Sequence, residues 1–388
     1  MEINYLSAGF VLFVVFMVAF VVQLSYYWMV FGRLAFFGSN ATKVTAAVNQ
    51  EAVSVVISAR NEYHNLQRFL PLILDQDYPD FEVVVVNDCS DDESAEFLDQ
   101  LARDHAKLKV VHLRQSLNFF QGKKFPLSMG IKSAKHDLLL LTDADCYPEN
   151  RQWISQIADS YSPQTEVVLA YGPYERQPGL LNKLIRYDTL HIAIQYMSLA
   201  MIGKPYMGVG RNLSYRKSLF LRNKGFTSHY KISSGDDDLF IHQVANKGNT
   251  GLLVSDKNRM VSLPKQSFTA WVRQKRRHLT TGIYYAFDIK LLLGMYSLSS
   301  FTFYVSFAAL FCVSPFVRLQ PEPLIYYGGL VLLFILRLVS HWFIFSKAAQ
   351  KLGERGLIWV YPWADIFFII FTPLMALSNL LIKKPKWK

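Results

Sequence analysis

The chain has 388 residues, of which 51% are hydrophobic and 15% aromatic, and its formal net charge is +11 at pH 7. A mean hydropathy of +0.15 excludes an ordinary soluble protein of this size. The positive charge is compatible with nucleic acid, anionic lipid or a phosphorylated substrate and does not choose among them. The three cysteines are too few for a full disulfide framework and lack the spacing of a zinc site, and they fit a reducing compartment.

The N-terminal segment is long enough to cross a bilayer. Residues 5–31 are apolar apart from Gln23 and two serines, and a spanning helix needs about 20 such residues. A cleaved signal peptide is the alternative, but the start "MEINY" has no Lys or Arg, and no A-x-A site follows. We therefore predict an uncleaved anchor over 1–34. The basic residues Arg33 and Lys43 place the following region in the cytoplasm.

Between residues 50 and 262, short runs rich in Val and Leu alternate with helical patterns. The predicted strands are 52–58, 81–87, 108–113, 137–142 and 166–171. The helical patterns are 64–76, 94–106, 124–134 and 151–161. Several strands are apolar without alternation, as expected when both faces of a sheet are covered. This order predicts an α/β domain with right-handed βαβ crossovers and a mainly parallel sheet.

Polar clusters follow three of these strands. Residues 59–62 follow the first strand, Asp88 closes the second, and Asp143 and Asp145 follow the fourth. In open α/β sheets, ligands bind outside the carboxyl ends of the strands, so these clusters are expected at one edge. Helix capping remains an alternative for Asp91 and Asp92.

The pair Asp143 and Asp145 follows the apolar run "LLLL". Burying a carboxylate is costly unless it is paired or holds a metal ion. In an extended segment alternate residues face the same way, about 6.5 to 7 Å apart, so both carboxylates can flank one spot. Two hard carboxylates suit Mg²⁺ or Mn²⁺ shared with a diphosphate. The alternative is a solvated turn before Pro148.

The C-terminal part is predicted to meet the membrane. Residues 263–290 carry many basic residues and read as amphipathic interfacial helices, followed by a membrane region over 291–388. Apolar spans are expected near 291–316, 324–346 and 357–382. Three complete crossings leave the basic tail "KKPKWK" outside, against the positive-inside tendency. Either the last segment is re-entrant or interfacial, or one span is miscounted, and both alternatives stay open.

Five motif matches together resemble the inverting, membrane-bound family-2 glycosyltransferases of the GT-A fold, over residues 53–282. They are "SARNE" with "VVNDCSDD", "GKKFPLSMGIKSAKHDLLLLTDADC", "GVGRNLSYRKSLF", "SGDDDLF" and "QKRRH". The chain departs from the family pattern in three places: residues 125–127 replace small residues, Gly235 stands where Glu is usual, and His278 stands where Trp is usual. The departure at His278 bears on acceptor type and processivity.

The resemblance implies a role for each matching residue. Asp236 is implied as the general base, Asp143 and Asp145 as the holders of Mg²⁺ or Mn²⁺, and a nucleotide diphosphate sugar, expected to be a UDP-sugar, as the donor. The donor-binding residues implied are Ala59, Arg60, Glu62, Asp88, Lys123, Asp143, Gln274 and Arg277. The acceptor-binding residues implied are Asn212, Asp237 and His278.

The three consecutive aspartates 236–238 have a second interpretation. Mutual repulsion raises the pKa of one of them toward a useful value, but one of them can also cap the helix that follows. We expect one of the three to cap and one to act as the base.

The leading hypothesis is a multi-pass enzyme of the inner or plasma membrane with a cytoplasmic catalytic domain, acting on a lipid-linked or polysaccharide acceptor. Membrane lipids are expected partners and nucleic acid is not. An inactive module that senses nucleotide sugar and a nucleotidyltransferase are the alternatives. A transporter with an accessory domain is a further one, for which Arg337 and Asp365 in the apolar spans are the residues of interest.

Overall fold

The computed structural model describes residues 2–38, 51–114, 122–232, 234–257, 259–313 and 323–381. Lys43 and the basic tail lie outside these ranges. The helices are α1 Glu2–Ser25, α2 Gly32–Ala35, α3 Tyr63–Leu74, α4 Ser94–Asp104, α5 Lys124–Ser133, α6 Trp153–Ala158, α7 Leu180–Met201, α8 Lys217–Arg222, α9 Asp238–Val244, α10 Phe268–His278, α11 Phe287–Val313, α12 Pro323–Lys351 and α13 Tyr361–Leu381. The strands are β1 Val53–Ala59, β2 Phe81–Asp88, β3 Leu108–Leu113, β4 Leu138–Asp143, β5 Cys146–Pro148, β6 Val167–Ala170, β7 Leu213–Arg216, β8 Thr250–Leu253 and β9 Met260–Ser262.

Seven strands form one sheet in the order β3-β2-β1-β4-β7-β6-β8. The strands β1 to β4 are parallel, and β7 runs antiparallel to both β4 and β6. Val55 and Ile57 of β1 face one core and Val56 faces the other, so both sides of the strand are buried. This accounts for the apolar runs without alternation. The predicted α/β fold with a mainly parallel sheet is confirmed.

Helix α5 lies unusually close to the sheet because of a glycine. A Cβ added at Gly130 would lie 2.7 Å from a methyl group of Val56 and 2.8 Å from one of Val86. The absence of a side chain therefore lets the helix pack directly onto β1 and β2. This contact holds the start of α5, and with it Lys123, at the carboxyl edge of the sheet.

Four helices among the described residues are long and apolar enough to cross a membrane, one N-terminal and three C-terminal. The N-terminal span, Gly9–Ala35, runs from α1 through a π-helical stretch at Tyr26–Phe31 into α2. The other three, Phe287–Cys312, Ile325–Lys351 and Tyr361–Asn379, coincide with α11, α12 and α13. The predicted set of spans is confirmed in number and order.

One polar network connects these four helices. Arg337 on α12 is fully buried, pairs with Asp365 on α13 and donates a hydrogen bond to Gln23 on α1 at 2.9 Å. It also donates to Ser300 and Tyr304 on α11, at 3.1 and 2.8 Å. A charge buried among apolar helices is stable only when it is paired and hydrogen-bonded, and these contacts meet that requirement. The network accounts for both ionisable residues noted in the sequence.

The turn between α12 and α13 is inserted into the soluble domain. Glu354 in this turn pairs with Arg186 of α7 and accepts a hydrogen bond from Tyr171 at 3.1 Å. All three side chains are buried. Arg259 adds a hydrogen bond of 2.6 Å to the carbonyl oxygen of Gly353. The membrane helices and the soluble domain are therefore joined at a point far from the chain connections between them.

Helix α13 touches the soluble domain at both of its ends. Near its start, the ring of Tyr361 lies 6.0 Å from that of Tyr187 on α7. Near its end, Asn379 accepts a hydrogen bond from Arg276 of α10 at 3.0 Å and donates one to the Arg276 carbonyl oxygen at 2.9 Å. Helix α13 therefore packs against the soluble domain as well as against the other apolar helices.

Candidate active site

A cavity of about 1040 Å³ opens at the carboxyl edge of β1, β2 and β4. It collects most of the residues that the sequence singles out, from segments far apart in the chain. Those that line it are Arg60, Glu62, Asp88, Lys123, Asp143, Asp145, Asp236, Asp237, Gln274, Arg277 and His278. The expected convergence of strand ends at one edge is therefore present in the fold.

Lys123 connects two of the acidic segments. Its ammonium contacts Asp143 at the end of β4 and lies 4.0 Å from Asp236. Burial lowers the pKa of this lysine, but the nearby carboxylates of Asp143 and Asp236 more than offset it and raise the pKa. Burial in turn opposes ionisation of Asp143, and the ammonium lowers its pKa. Both groups are therefore charged at neutral pH.

The neighbouring carboxylates Asp143 and Asp145 form the candidate metal site. Their oxygens and Sγ of Cys146 lie within 4.8 Å of one another. Burial and the charge of Asp143 raise the pKa of Asp145, which accepts a long hydrogen bond of 3.4 Å from Ser262. A divalent cation would relieve this crowding of negative charge, and two hard carboxylates suit Mg²⁺ or Mn²⁺. Burial raises the pKa of the Cys146 thiol well above its usual range, so the oxygens are the fitting ligands.

The three aspartates that precede α9 are held differently. Asp237 accepts hydrogen bonds from the backbone N–H groups of Gly210 and Asp238, both at 2.8 Å, and it caps the helix. Asp238 accepts from the N–H of Leu239 and from the hydroxyl of Tyr285, also at 2.8 Å. Asp236 lies 4.0 Å from the ammonium of Lys123 and lines the cavity together with the other two.

This arrangement agrees with the expectation that one of the three aspartates caps the helix. All three line the cavity, and Asp236 is the one paired with Lys123. The pKa of Asp237 is raised to about 7, by burial first and then by the charges of Asp236 and Asp238. A capping aspartate with a raised pKa shows that this acidic cluster is kept at some electrostatic cost.

The loops after β1 and β2 are joined to each other. Asn61 has a φ of +55° and accepts a hydrogen bond of 2.8 Å from the N–H of Asp91. Asp92 accepts from the N–H groups of Tyr63 and Ser94 at 3.0 and 3.1 Å, so the capping alternative holds for this residue.

Asp88 has a different setting from Asp92. It is 9% exposed at the cavity wall, and burial raises its pKa while Arg60 opposes that effect. Ala59 is buried at the end of β1, with 1% of its surface exposed, so its side chain supports this edge from behind.

Helix α10 forms the opposite wall. Ser267 caps it by accepting a hydrogen bond from the N–H of Ala270 at 3.2 Å, and Gln274 donates to the hydroxyl of Tyr174 at 3.0 Å. Lys275 is one of the basic residues in the predicted interfacial region 263–290, and it pairs with Asp188 of α7 at 2.8 Å. Lys275 therefore contributes to the packing of α10 against α7.

The segment before β7 contains Asn212, which lies behind the cavity wall. Asn212, an expected acceptor-binding residue, is 1% exposed; it donates to the carbonyl oxygen of Tyr171 at 2.8 Å and accepts from the indole of Trp153 at 3.0 Å. It therefore supports the wall from behind instead of facing an acceptor, which differs from the expectation.

Arg211, next to it, was missed. It lines the cavity, donates to the carbonyl oxygen of Gly172 at 2.8 Å and lies 4.3 Å over the ring of Tyr174. The signal in the sequence was an arginine that directly follows the segment Gly208–Gly210 and precedes the buried strand β7.

Comparison with known proteins places the fold. Residues 54–221 match the sequence profile described as glycosyl transferase family 2. The chain is similar to a mannosyltransferase from Pyrobaculum calidifontis, solved in complex with GDP-Man and Mn²⁺. The TM-score is 0.55 at 18% identity, and the match covers 89% of this chain and 98% of the other. At this identity the likeness establishes the GT-A fold alone.

Two curated relatives match about half of the chain. The poly-beta-1,6-N-acetyl-D-glucosamine synthase of Staphylococcus epidermidis is 29% identical over 176 residues, which are 44% of this chain and 42% of that protein. The poly(ribitol-phosphate) beta-N-acetylglucosaminyltransferase TarS of Staphylococcus aureus is 31% identical over 206 residues, 53% of this chain and 34% of that protein. The chain thus spans less than half the length of these two relatives.

Proposed function

Residues 54–221 of this chain match the glycosyl transferase family 2 profile, as the motifs predict, and from that match we propose that the protein transfers a sugar from a nucleotide diphosphate sugar to an acceptor hydroxyl. The reaction is a single displacement with inversion, carried out on the cytoplasmic side of the membrane. One observation carries the proposal: Asp88, Asp143 and Asp236, which come from three separate segments, line the same cavity.

The donor occupies the edge of the sheet. Asp88 accepts a hydrogen bond from the nucleotide base, with Arg60 and Glu62 beside it on the same wall. Arg277 faces the diphosphate, since a guanidinium pairs with phosphate oxygens in a fork. Gln274 is held by Tyr174 and closes this wall of the cavity.

The acceptor hydroxyl approaches Asp236. An inverting displacement needs one base on the face opposite the leaving diphosphate, within hydrogen-bond reach of the attacking oxygen. Asp236 removes the hydroxyl proton as that oxygen bonds to the sugar carbon and the diphosphate departs. Asp237 and Asp238 are held by backbone N–H groups and Tyr285, and they fix the position of the loop that carries the base.

Asp143 and Asp145 would hold the divalent cation. When bound, Mg²⁺ or Mn²⁺ supplies charge neutralisation for the departing diphosphate. Lys123, already in contact with Asp143, keeps that carboxylate ionised and oriented. The fold neighbour solved with GDP-Man and Mn²⁺ supports the fit of this ion type to the fold.

The test is a donor screen on the purified full chain in nanodiscs. UDP- and GDP-sugars are supplied with Mg²⁺ or Mn²⁺, and the released nucleoside diphosphate is measured. We expect release with at least one donor, and we expect Asp236→Asn to abolish it while the protein stays folded. Asp104→Asn, at the exposed end of α4, is the matched control. Release of pyrophosphate instead identifies a nucleotidyltransferase, and donor binding without turnover identifies a sensing module.

A further inference from the structure

The two ends of the cavity differ in character. One end lies at the sheet, where Arg60 and Asp88 line it. The other end reaches Lys290 and Leu293, in the first turns of α11, and α11 is one of the helices apolar enough to cross a membrane. The cavity therefore connects the carboxyl edge of the sheet with the membrane surface.

The acidic cluster lies toward the membrane end. Tyr285, which precedes α11, donates a hydrogen bond of 2.8 Å to Asp238. His242 of α9 accepts one from the N–H of Ala286, also at 2.8 Å. Two independent contacts thus hold the entry to α11 against the helix that follows the proposed base. A molecule that approaches Asp236 from this side comes past α11.

The surface around this end combines apolar groups with a cation. Ile283, Phe287 and Leu291 are 65%, 76% and 49% exposed and recur at intervals of four along the chain. Lys290 is exposed beside them and also lines the cavity. Apolar side chains next to a lysine at the start of a membrane span match a molecule with an acyl or isoprenoid chain and an anionic headgroup.

The lining of this half of the cavity also contains apolar side chains. Its lining includes Ile192 and Ala193 of α7, together with Met207 and Val209. These side chains offer hydrocarbon contact, and Tyr196, Tyr206 and Trp271 add aromatic surface to the same lining. An amphiphile with a hydrocarbon chain and a polar headgroup fits this combination.

We propose that the acceptor is a membrane lipid whose phosphate-bearing headgroup enters the cavity along the face of α11 formed by Lys290 and Leu293. The headgroup phosphate pairs with Lys290, the hydrocarbon chain stays in the bilayer beside Leu293, and a nucleophilic oxygen of the headgroup reaches Asp236. This inference rests on the proposed glycosyl transfer.

The reaction balances without a further reagent. A bond forms between the headgroup oxygen and the anomeric carbon of the sugar, and the bond from that carbon to the diphosphate oxygen breaks with its electron pair. Asp236 takes the proton when the oxygen carries one. The products are a glycosylated lipid and a nucleoside diphosphate.

The experiment uses the full chain in phosphatidylcholine nanodiscs with the radiolabelled donor that the screen identifies. The anionic probes are phosphatidylglycerol and polyisoprenyl phosphate, the uncharged lipid probe is diacylglycerol, and the water-soluble probe is chitotetraose. Organic extraction separates labelled lipid from labelled oligosaccharide. We expect label in the organic phase with an anionic lipid probe, at a higher rate than with diacylglycerol.

Charge variants test the entry. Lys290→Gln is expected to raise the KM for the anionic lipid about fivefold, the effect of one basic residue near a membrane surface, and to change the KM for diacylglycerol much less. Lys290→Arg restores the wild-type value, and the exposed control Lys257→Gln retains it. An equal KM for Lys290→Gln and wild type overturns the proposed entry.

The outcomes separate this inference from the proposed function. Label in chitotetraose alone, with none in the organic phase, overturns the lipid acceptor and leaves glycosyl transfer standing. No release of nucleoside diphosphate with any donor and any probe overturns both.

Discussion

Nζ of Lys123 lies 4.0 Å from Oδ2 of Asp236. The same ammonium contacts Asp143, so one cation joins the proposed donor side to the proposed base. Because both carboxylates border one cavity, their charges repel, and the lysine is what offsets this repulsion in the structure.

The first prediction concerns this lysine. Lys123→Met leaves Asp143 and Asp236 without their shared cation, and we expect the rate of transfer to fall by about 100-fold or more. Lys123→Arg, which keeps the charge, is expected to retain part of it. The measurement is nucleoside diphosphate release at saturating donor. Lys132→Met, on the exposed side of α5, serves as the control, and a Lys123→Met variant as active as this control contradicts the assignment.

The second prediction concerns Asp237 and pH. Its pKa is raised from 3.8 to about 7, so the folded protein binds this proton more tightly than the unfolded chain does. Its contribution to stability is therefore greatest below about pH 4 and is lost as the pH rises to about 7. In Asp237→Asn this loss is removed, and we expect its melting temperature to fall less between pH 5 and pH 8 than that of the wild type. Parallel changes in the two proteins show that Asp237 does not titrate in this range.

The third prediction concerns the close contact of α5 with the sheet. Gly130→Val places atoms within 3 Å of Val56 and Val86, which sit in the packed centre of the sheet. Overpacking of this kind costs about 1–3 kcal/mol, and we expect a lower melting temperature. The matched control is Gly294→Ala in α11, where a Cβ meets nothing within 4 Å. The idea fails if both variants melt like the wild type.

The fourth prediction concerns the buried pair in the membrane region. Arg337→Met leaves Asp365 as an unpaired charge among apolar helices, and removing one partner of such a pair costs about 3–5 kcal/mol. In the double variant Arg337→Met/Asp365→Leu no charge remains buried, so we expect much of the stability to return. Thermal unfolding of the purified protein in nanodiscs measures both. A double variant no more stable than the single one argues against the pairing.

Much of the fold follows from local pattern. The strands β1, β2 and β4 are continuously apolar, which indicates that both of their faces are buried in a covered sheet. Because these strands are parallel, Asp88 and Asp143 at their carboxyl ends lie at the same edge of the sheet. The antiparallel β7 has only four residues, including Ser214 and Arg216, and its place depends on pairing with strands distant in sequence.

The site residues that sequence could not assign depend on long-range contacts. Asn212 matches a motif but faces Tyr171 and Trp153, and Lys275 matches a basic surface helix but faces Asp188. In each case a residue far along the chain decides whether the side chain meets the cavity or the interior. The sequence predicts that one of the three aspartates caps α9, and the hydrogen bond from the N–H of Asp238 identifies Asp237 as that residue.

The insertion of Glu354 between Arg186 and Tyr171 has a consequence for how the protein is made. A polypeptide truncated before Phe287 would keep every strand of the sheet, yet its socket for Glu354 would be empty, with a guanidinium facing no carboxylate. The packing around Arg186 and Tyr171 is therefore complete only after residue 354 has been synthesised, which is late in translation.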